Sequence, residues 1–159
     1  MAVERYVVTR EGFAKLRARL KQIKEVDRPQ NVRDIEEARA HGDLRENAEF
    51  HAAKDRQGFL EGELRSIEDK LSRAQVIDPA SLAGDRVVFG ATVTVLNVET
   101  DEEVTYKIVG EDEGDLKQGT ISYKAPIARA LIGREEGDEI VFNAPGGART
   151  FEVVEIAFV

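Results

Sequence analysis

Two long stretches with the apolar period of a helix, separated by Gly42, constrain this chain more than any other feature. In the first, Phe13, Leu16, Leu20 and Ile23 recur at three- and four-residue steps, and the pattern resumes after Pro29 with Val32, Ile35 and Ala38. Thr9 stands where an N-cap is needed. Pro29 removes one backbone donor, so the spacing predicts one bent helix or two nearly collinear ones. In the second stretch, Ala53, Leu60, Leu64, Ile67, Leu71 and Ala74 form a coiled-coil seam that stops before Asp78-Pro79. A short connection forces the two helices antiparallel. Gly12 to Ala40 is 29 residues, so the expected rod is roughly 45 Å long and projects beyond any small domain.

After Arg86 the pattern changes to short β-rich runs, Val87-Val88-Phe89, 91–98, 103–109, 119–122, 139–142 and 150–158, separated by Gly, Asp and Asn. The stretch from Pro126 to Gly133 reads as a short helix against the sheet, with proline in its first turn and glycine just past its end. The fold class is therefore α+β. An N-terminal antiparallel two-helix coiled coil is expected over residues 1–76, a linker over 77–84, and a C-terminal antiparallel sheet with one short helix over 85–159.

The net charge of -8 over 159 residues conceals a division between the halves. Residues 1–75 hold 16 Lys/Arg against 15 Asp/Glu, whereas residues 76–159 hold 7 against 16. The acidic half disfavours phosphate-backbone binding and suits a basic protein partner, so any nucleic-acid contact is expected from the first half. The N-terminal run Met1-Ala2-Val3-Glu4-Arg5-Tyr6 lacks the basic and apolar regions of a secretory leader, and no run approaches a membrane span of about 20 apolar residues. A cytoplasmic location is expected. With no cysteine there is no disulfide or thiolate metal site.

The break between the helices carries Gly42-Asp43-Leu44-Arg45-Glu46-Asn47-Ala48-Glu49-Phe50-His51-Ala52-Ala53-Lys54. Asp43 and Glu46 have the spacing of a capping box, which implies stability and no chemistry. Two carboxylates at a hairpin tip can also share a Mg²⁺ ion, although that ion's octahedral oxygen shell calls for ligands from elsewhere. Both readings fit one structure. His41, Asp43, Glu46, Glu49 and His51 are ligand-type residues, but their spacing does not set two histidines on one helical face beside a carboxylate, against a self-sufficient metal site. Arg45, Lys54 and Arg56 form a small basic cluster, read either as a solvated face or as a phosphate-steering patch. The acidic runs 99–103 and 111–115 read as solvated turns.

The tip run, together with Glu68-Asp69-Lys70-Leu71-Ser72-Arg73-Ala74 and Ala125-Pro126-Ile127-Ala128-Arg129-Ala130-Leu131-Ile132-Gly133, closely resembles the GreA/GreB family of bacterial transcript-cleavage factors. The resemblance covers essentially the whole chain. It implies a transcription elongation factor, monomeric and with a DNA-binding association through the transcription complex, whose coiled coil enters the RNA polymerase secondary channel. An FKBP-like C-terminal domain would dock at the channel rim through Pro126, Ile127, Arg129, Ala130 and Leu131. Asp43 and Glu46 would then serve the polymerase's own Mg-dependent cleavage of the backtracked RNA 3′ end, with Arg45, Asn47, Phe50, Lys54 and Arg56 as tip contacts to RNA. The chain would have no cofactor of its own and would not be an enzyme by itself. It departs from the family pattern at Ala125, where serine often precedes the proline, and at Phe50, where tyrosine is common. The anti-cleavage paralogues carry a more acidic tip, which favours stimulation of cleavage here. The alternatives are a channel regulator without cleavage and a coiled-coil adaptor that never meets polymerase. Prolyl isomerisation does not follow from the fold, since the chain has no tryptophan to floor a proline pocket.

Overall fold

The computed structural model describes residues 4–43 and 45–159. Met1 to Val3, part of the run read for a secretory leader, and Leu44 of the tip motif lie outside them. The chain divides into two compact units, one built mainly from Phe13–Ala74 and the other from Tyr6–Gly12 and Gln75–Val159.

The first unit is a helical hairpin of α1 (Arg10–Gln22), a π-helical segment (Ile23–Asp27), α2 (Arg28–Arg39) and α3 (Ala48–Arg73). The loosening expected around Pro29 takes the form of that π segment, closed by the Arg28 N–H donating to the Ile23 carbonyl five residues back. The wider turn gives the proline ring room and places its missing donor in the first turn of α2, where helices tolerate it. It also sets the helical phase. In an unbroken α-helix Ile35 would point about 120° away from Ile23; one extra residue brings Asn31, Ile35 and Ala38 onto the face of Ile23. Val32, expected on that face, is therefore at its edge and 47% exposed, and Asn31 is the interior residue at 2%. Its Nδ2 donates to the Ala53 carbonyl of α3 at 2.9 Å, which satisfies a buried amide.

The apolar contact between the helices is the cluster Ile23, Leu60, Leu64 and Ile67, flanked by Leu16, Leu20 and Leu71. Ala74, expected to close the seam, is instead the extended residue that stops α3 and opens strand β2 (Ala74–Ile77). Arg19 of α1 binds both carboxylate oxygens of Glu63 on α3, at 2.9 and 2.7 Å, and Asp27 at 2.8 Å. Arg28 binds Glu61 in the same forked way at 2.8 and 3.0 Å. The hydrogen bonds from Arg19 hold the Glu63 carboxyl below its ordinary range, against the opposing effect of burial. Because that pKa is depressed, the pair contributes stability above the ordinary glutamate pKa and loses it as pH falls through the folded value. Glu63→Gln is therefore expected to lower stability by about 1 kcal/mol at pH 7, a figure discounted for solvent screening. In denaturant titrations the gap from the unsubstituted protein should narrow as pH falls below the ordinary glutamate range and the carboxylate is protonated; a gap that stays constant with pH would mean the charge is not its source.

The second unit holds a five-stranded sheet ordered β5-β4-β3-β7-β6, made of β3 (Thr92–Asn97), β4 (Glu103–Val109), β5 (Thr120–Ser122), β6 (Glu139–Ala144) and β7 (Gly147–Ala157). The sheet is mixed and not, as expected, antiparallel throughout: the connection over 110–119 returns the chain along β4, so that Thr120 pairs with Lys107 in parallel. Val87-Val88-Phe89 is not a strand. Val87 is held instead by the end of α4 (Pro126–Leu131), donating to the Arg134 carbonyl and accepting from the Gly133 N–H, both at 2.8 Å. Ala128 and Leu131 of α4 complete a core with Val93, Val95, Ile108, Ile140, Phe151 and Val153.

Strand β1 (Tyr6–Thr9) pairs with β2 in a separate two-stranded sheet. Neither strand was expected, since each is a four-residue run at the end of a helical pattern. The acidic run 111–115, read as a solvated turn, anchors β1. Glu113 accepts from the N–H groups of Thr9 at 3.0 Å and Gly110 at 2.7 Å, and from the Thr9 hydroxyl. That hydroxyl in turn accepts from Gly12 N–H at 3.1 Å, so Thr9 is the N-cap of α1 as expected. The Tyr6 hydroxyl donates to Asp112 at 2.7 Å. Burial first, and then the Asp112 carboxylate, push the Tyr6 phenol far above its ordinary pKa. Gly110 is required because a Cβ there would stand 3.0 Å from the Val7 carbonyl oxygen. Glu113→Ala strips three donors of a charged acceptor and is expected to cost about 2 kcal/mol by chemical denaturation; a loss below about 0.5 kcal/mol would show that water replaces the carboxylate.

Candidate functional site

The hairpin's tip is built from the ends of α2 and α3. After Arg39 the backbone tightens, with the His41 N–H donating to the Ala38 carbonyl at 3.1 Å, and Gly42 turns the chain at φ +118°, a conformation that L side chains rarely adopt. Helix α3 begins at Ala48, and its N-cap is Asn47, whose Oδ1 accepts from the Phe50 N–H at 3.0 Å. The capping-box reading of Asp43 and Glu46 is thereby corrected. Asn47 outcompetes Asp43 because it does two things at once: its Nδ2 also donates to the Ala38 carbonyl at the end of α2. The signal was in the sequence, as an asparagine directly before a helix-forming run, but the Asp-x-x-Glu spacing masked it.

The two carboxylates are thus released from helix capping, and both are exposed. Asp43 uses one oxygen to accept from the Arg45 N–H at 3.0 Å, which shapes the loop locally. Among the described residues Glu46 forms no hydrogen bond or ion pair. Around them, His41 faces Glu49 at 3.0 Å and the His51 ring meets the Arg45 carbonyl at 3.2 Å. Both histidines thus meet groups other than the Asp43 and Glu46 carboxylates. Among the described residues no three His, Asp or Glu side chains converge on a position able to hold a metal ion.

Arg45, Lys54 and Arg56 are all exposed, and the Lys54 ammonium donates to Gln57 at 2.9 Å. Arg39, which the sequence reading did not single out, lies 5.9 Å from the centroid of the half-buried Phe50 ring, and Phe50 meets His51 edge to face at 5.7 Å. In the second unit, Pro126 and Arg129 of α4 are exposed, Ile127 and Ala130 are half-buried, and Leu131 is fully buried in the core. Ala125 precedes the helix with no side-chain cap, as its lack of a hydroxyl requires. No helix among the described residues is long and apolar enough to cross a membrane.

Residues 6–76 match the family model for the transcription elongation factor N-terminal domain, and residues 82–158 match that for the GreA/GreB C-terminal domain. The transcription elongation factor GreA of Hyphomonas neptunium is 57% identical, over 98% of this chain and 99% of that protein. Its counterpart from Phenylobacterium zucineum is 50% identical, over 99% and 100%. Among solved structures, the GreA factor homolog Gfh1 of Thermus thermophilus is 25% identical over 96% of this chain and 99% of that one, with a TM-score of 0.44. Two consecutive domain matches and end-to-end relatives define a bacterial transcription elongation factor. The chain belongs to the GreA/GreB family.

Proposed function

We infer that the chain acts on RNA polymerase in the cytoplasm as a monomeric factor that stimulates cleavage of backtracked RNA and so releases arrested complexes. In this reading the hairpin enters the secondary channel and presents Asp43 and Glu46 to the active site, while the second unit docks at the channel rim. What supports it most is the state of the two carboxylates: both are exposed and, among the described residues, Glu46 has no partner and Asp43 has one oxygen uncommitted.

The donor set fits a shared Mg²⁺ ion and not a private one. Two carboxylates supply too few ligands for octahedral coordination, so the remaining ligands come from polymerase and RNA. Asp43 and Glu46 would help to hold such an ion, which when bound would supply Lewis-acid polarisation of the phosphodiester and of an attacking water. Asp43 and Glu46 add negative charge beside that ion and accept hydrogen bonds from the water, which fixes its direction of approach. Arg45, Lys54 and Arg56 contact RNA phosphates, which position the strand without reading its sequence. Asn47 and Phe50 shape the tip from inside the hairpin, and Phe50 brings no hydroxyl to the RNA. On the rim, Pro126 and Arg129 offer exposed contacts, with Ile127 and Ala130 beside them, and Leu131 holds their helix to the core. The factor is not an enzyme by itself. GreA relatives at 50 to 57% identity favour this reading over a channel regulator without cleavage.

Asp43→Asn retains the oxygen that accepts from Arg45 and removes only the charge. With stalled elongation complexes and Mg²⁺, it is expected to bind polymerase as the unsubstituted factor does. It should cleave roughly a hundredfold more slowly, the scale for losing one electrostatic group in an active site. Glu46→Gln should do the same. Undiminished cleavage by both variants would remove the carboxylates from the reaction, and a factor that binds without ever shortening the RNA would favour the regulator.

A further inference from the structure

We propose that Asn47 is a positioning residue for the tip carboxylates, resting on the cleavage reading above: its side chain ties the end of α2 to the start of α3 and so sets the loop that presents Asp43 and Glu46. The tie has two halves. Oδ1 accepts from the Phe50 N–H at 3.0 Å, and Nδ2 donates to the Ala38 carbonyl, which also accepts from the His41 N–H at 3.1 Å. The C-terminal carbonyls of one helix and the N-terminal donors of the next are the groups a hairpin leaves unpaired. One short side chain that both accepts and donates can serve both ends. Aspartate can cap but not donate, and serine has a single oxygen for the two tasks.

The other contacts at the tip cannot replace this link. The Asp43 bond to the Arg45 N–H and the His51 contact with the Arg45 carbonyl both lie on the α3 side of Gly42 and leave α2 untouched. Two contacts do cross the tip: the His41 pairing with Glu49, whose side chains are 53% and 71% exposed and which is an ion pair only when the histidine is protonated, and Arg39 of α2 at 5.9 Å from the Phe50 ring centroid, a contact that leaves the Ala38 carbonyl and the Phe50 N–H unserved. Asn47 is half-buried, neutral and bound to both helices. It adjoins Glu46 in the chain, so losing the tie to Ala38 frees the loop at the carboxylate itself.

Asn47→Asp isolates the tie, because aspartate caps a helix about as well as asparagine yet sets a carboxylate against the Ala38 carbonyl. In the free full-length chain, amide exchange at His41 and Arg45 is expected to rise roughly tenfold, the change supported by one ordinary hydrogen bond, while the Phe50 amide stays protected. Unchanged exchange at His41 and Arg45 would overturn the proposal, whatever the polymerase assay shows. With stalled complexes at saturating factor, the variant should displace the unsubstituted factor equally well, cleave roughly tenfold more slowly, and recover as Mg²⁺ is raised, a rescue that simple loss of fold would not give. Cleavage at the unsubstituted rate with the same Mg²⁺ dependence would also overturn it. If the unsubstituted chain binds polymerase but stimulates no cleavage, the functional reading fails, and the exchange measurement still decides whether Asn47 sets the loop.

Discussion

The two arms of the helical hairpin depend on the seam between them. Ile23, Leu60, Leu64 and Ile67 form its buried apolar cluster, and Ile35 and Ala38 are buried further along α2. Polar ties spaced along the seam supply the rest. Arg19 grips Glu63 and Arg28 grips Glu61, both in forked geometry that fixes direction as well as distance. Asn31 and Asn47 each give an amide to a carbonyl of the facing helix. These ties hold one register, since a slip of one residue would move Asp43 and Glu46 relative to the seam.

The π segment belongs to the same constraint. Pro29 disfavours an ordinary α-helical turn before it, and the chain answers with a wider one that rotates α2 until Asn31, Ile35 and Ala38 face α3. The seam is thus continuous across a proline only because one residue is inserted before it. In the second unit a carboxylate plays the comparable part. Glu113 gathers Thr9 and Gly110, and Asp112 takes the Tyr6 hydroxyl, so the start of α1 is fixed by an acidic turn far along the chain.

The tip shows how stability and chemistry are kept apart. Were Asp43 the cap of α3, its carboxylate would face backbone donors and not the solvent. Asn47 takes that task, and the charged groups remain available.

Local chemistry decided much of this in advance. The helical period located both arms of the hairpin, Thr9 announced its cap, proline and glycine bounded α4, and the run from Gly42 to Lys54 marked the tip, because each signal depends on residues near in sequence. Tertiary contacts decided the rest. Nothing local says that Asn31 and not Val32 faces inward, since that follows from a π turn whose phase is fixed by the opposite helix. The strands β1 and β2 form only because their partners are some 70 residues apart and meet through folding. The parallel β5 and the anchoring role of Glu113 likewise need groups brought together from distant parts of the chain, where hydrogen bonding, and not propensity, chooses the conformation.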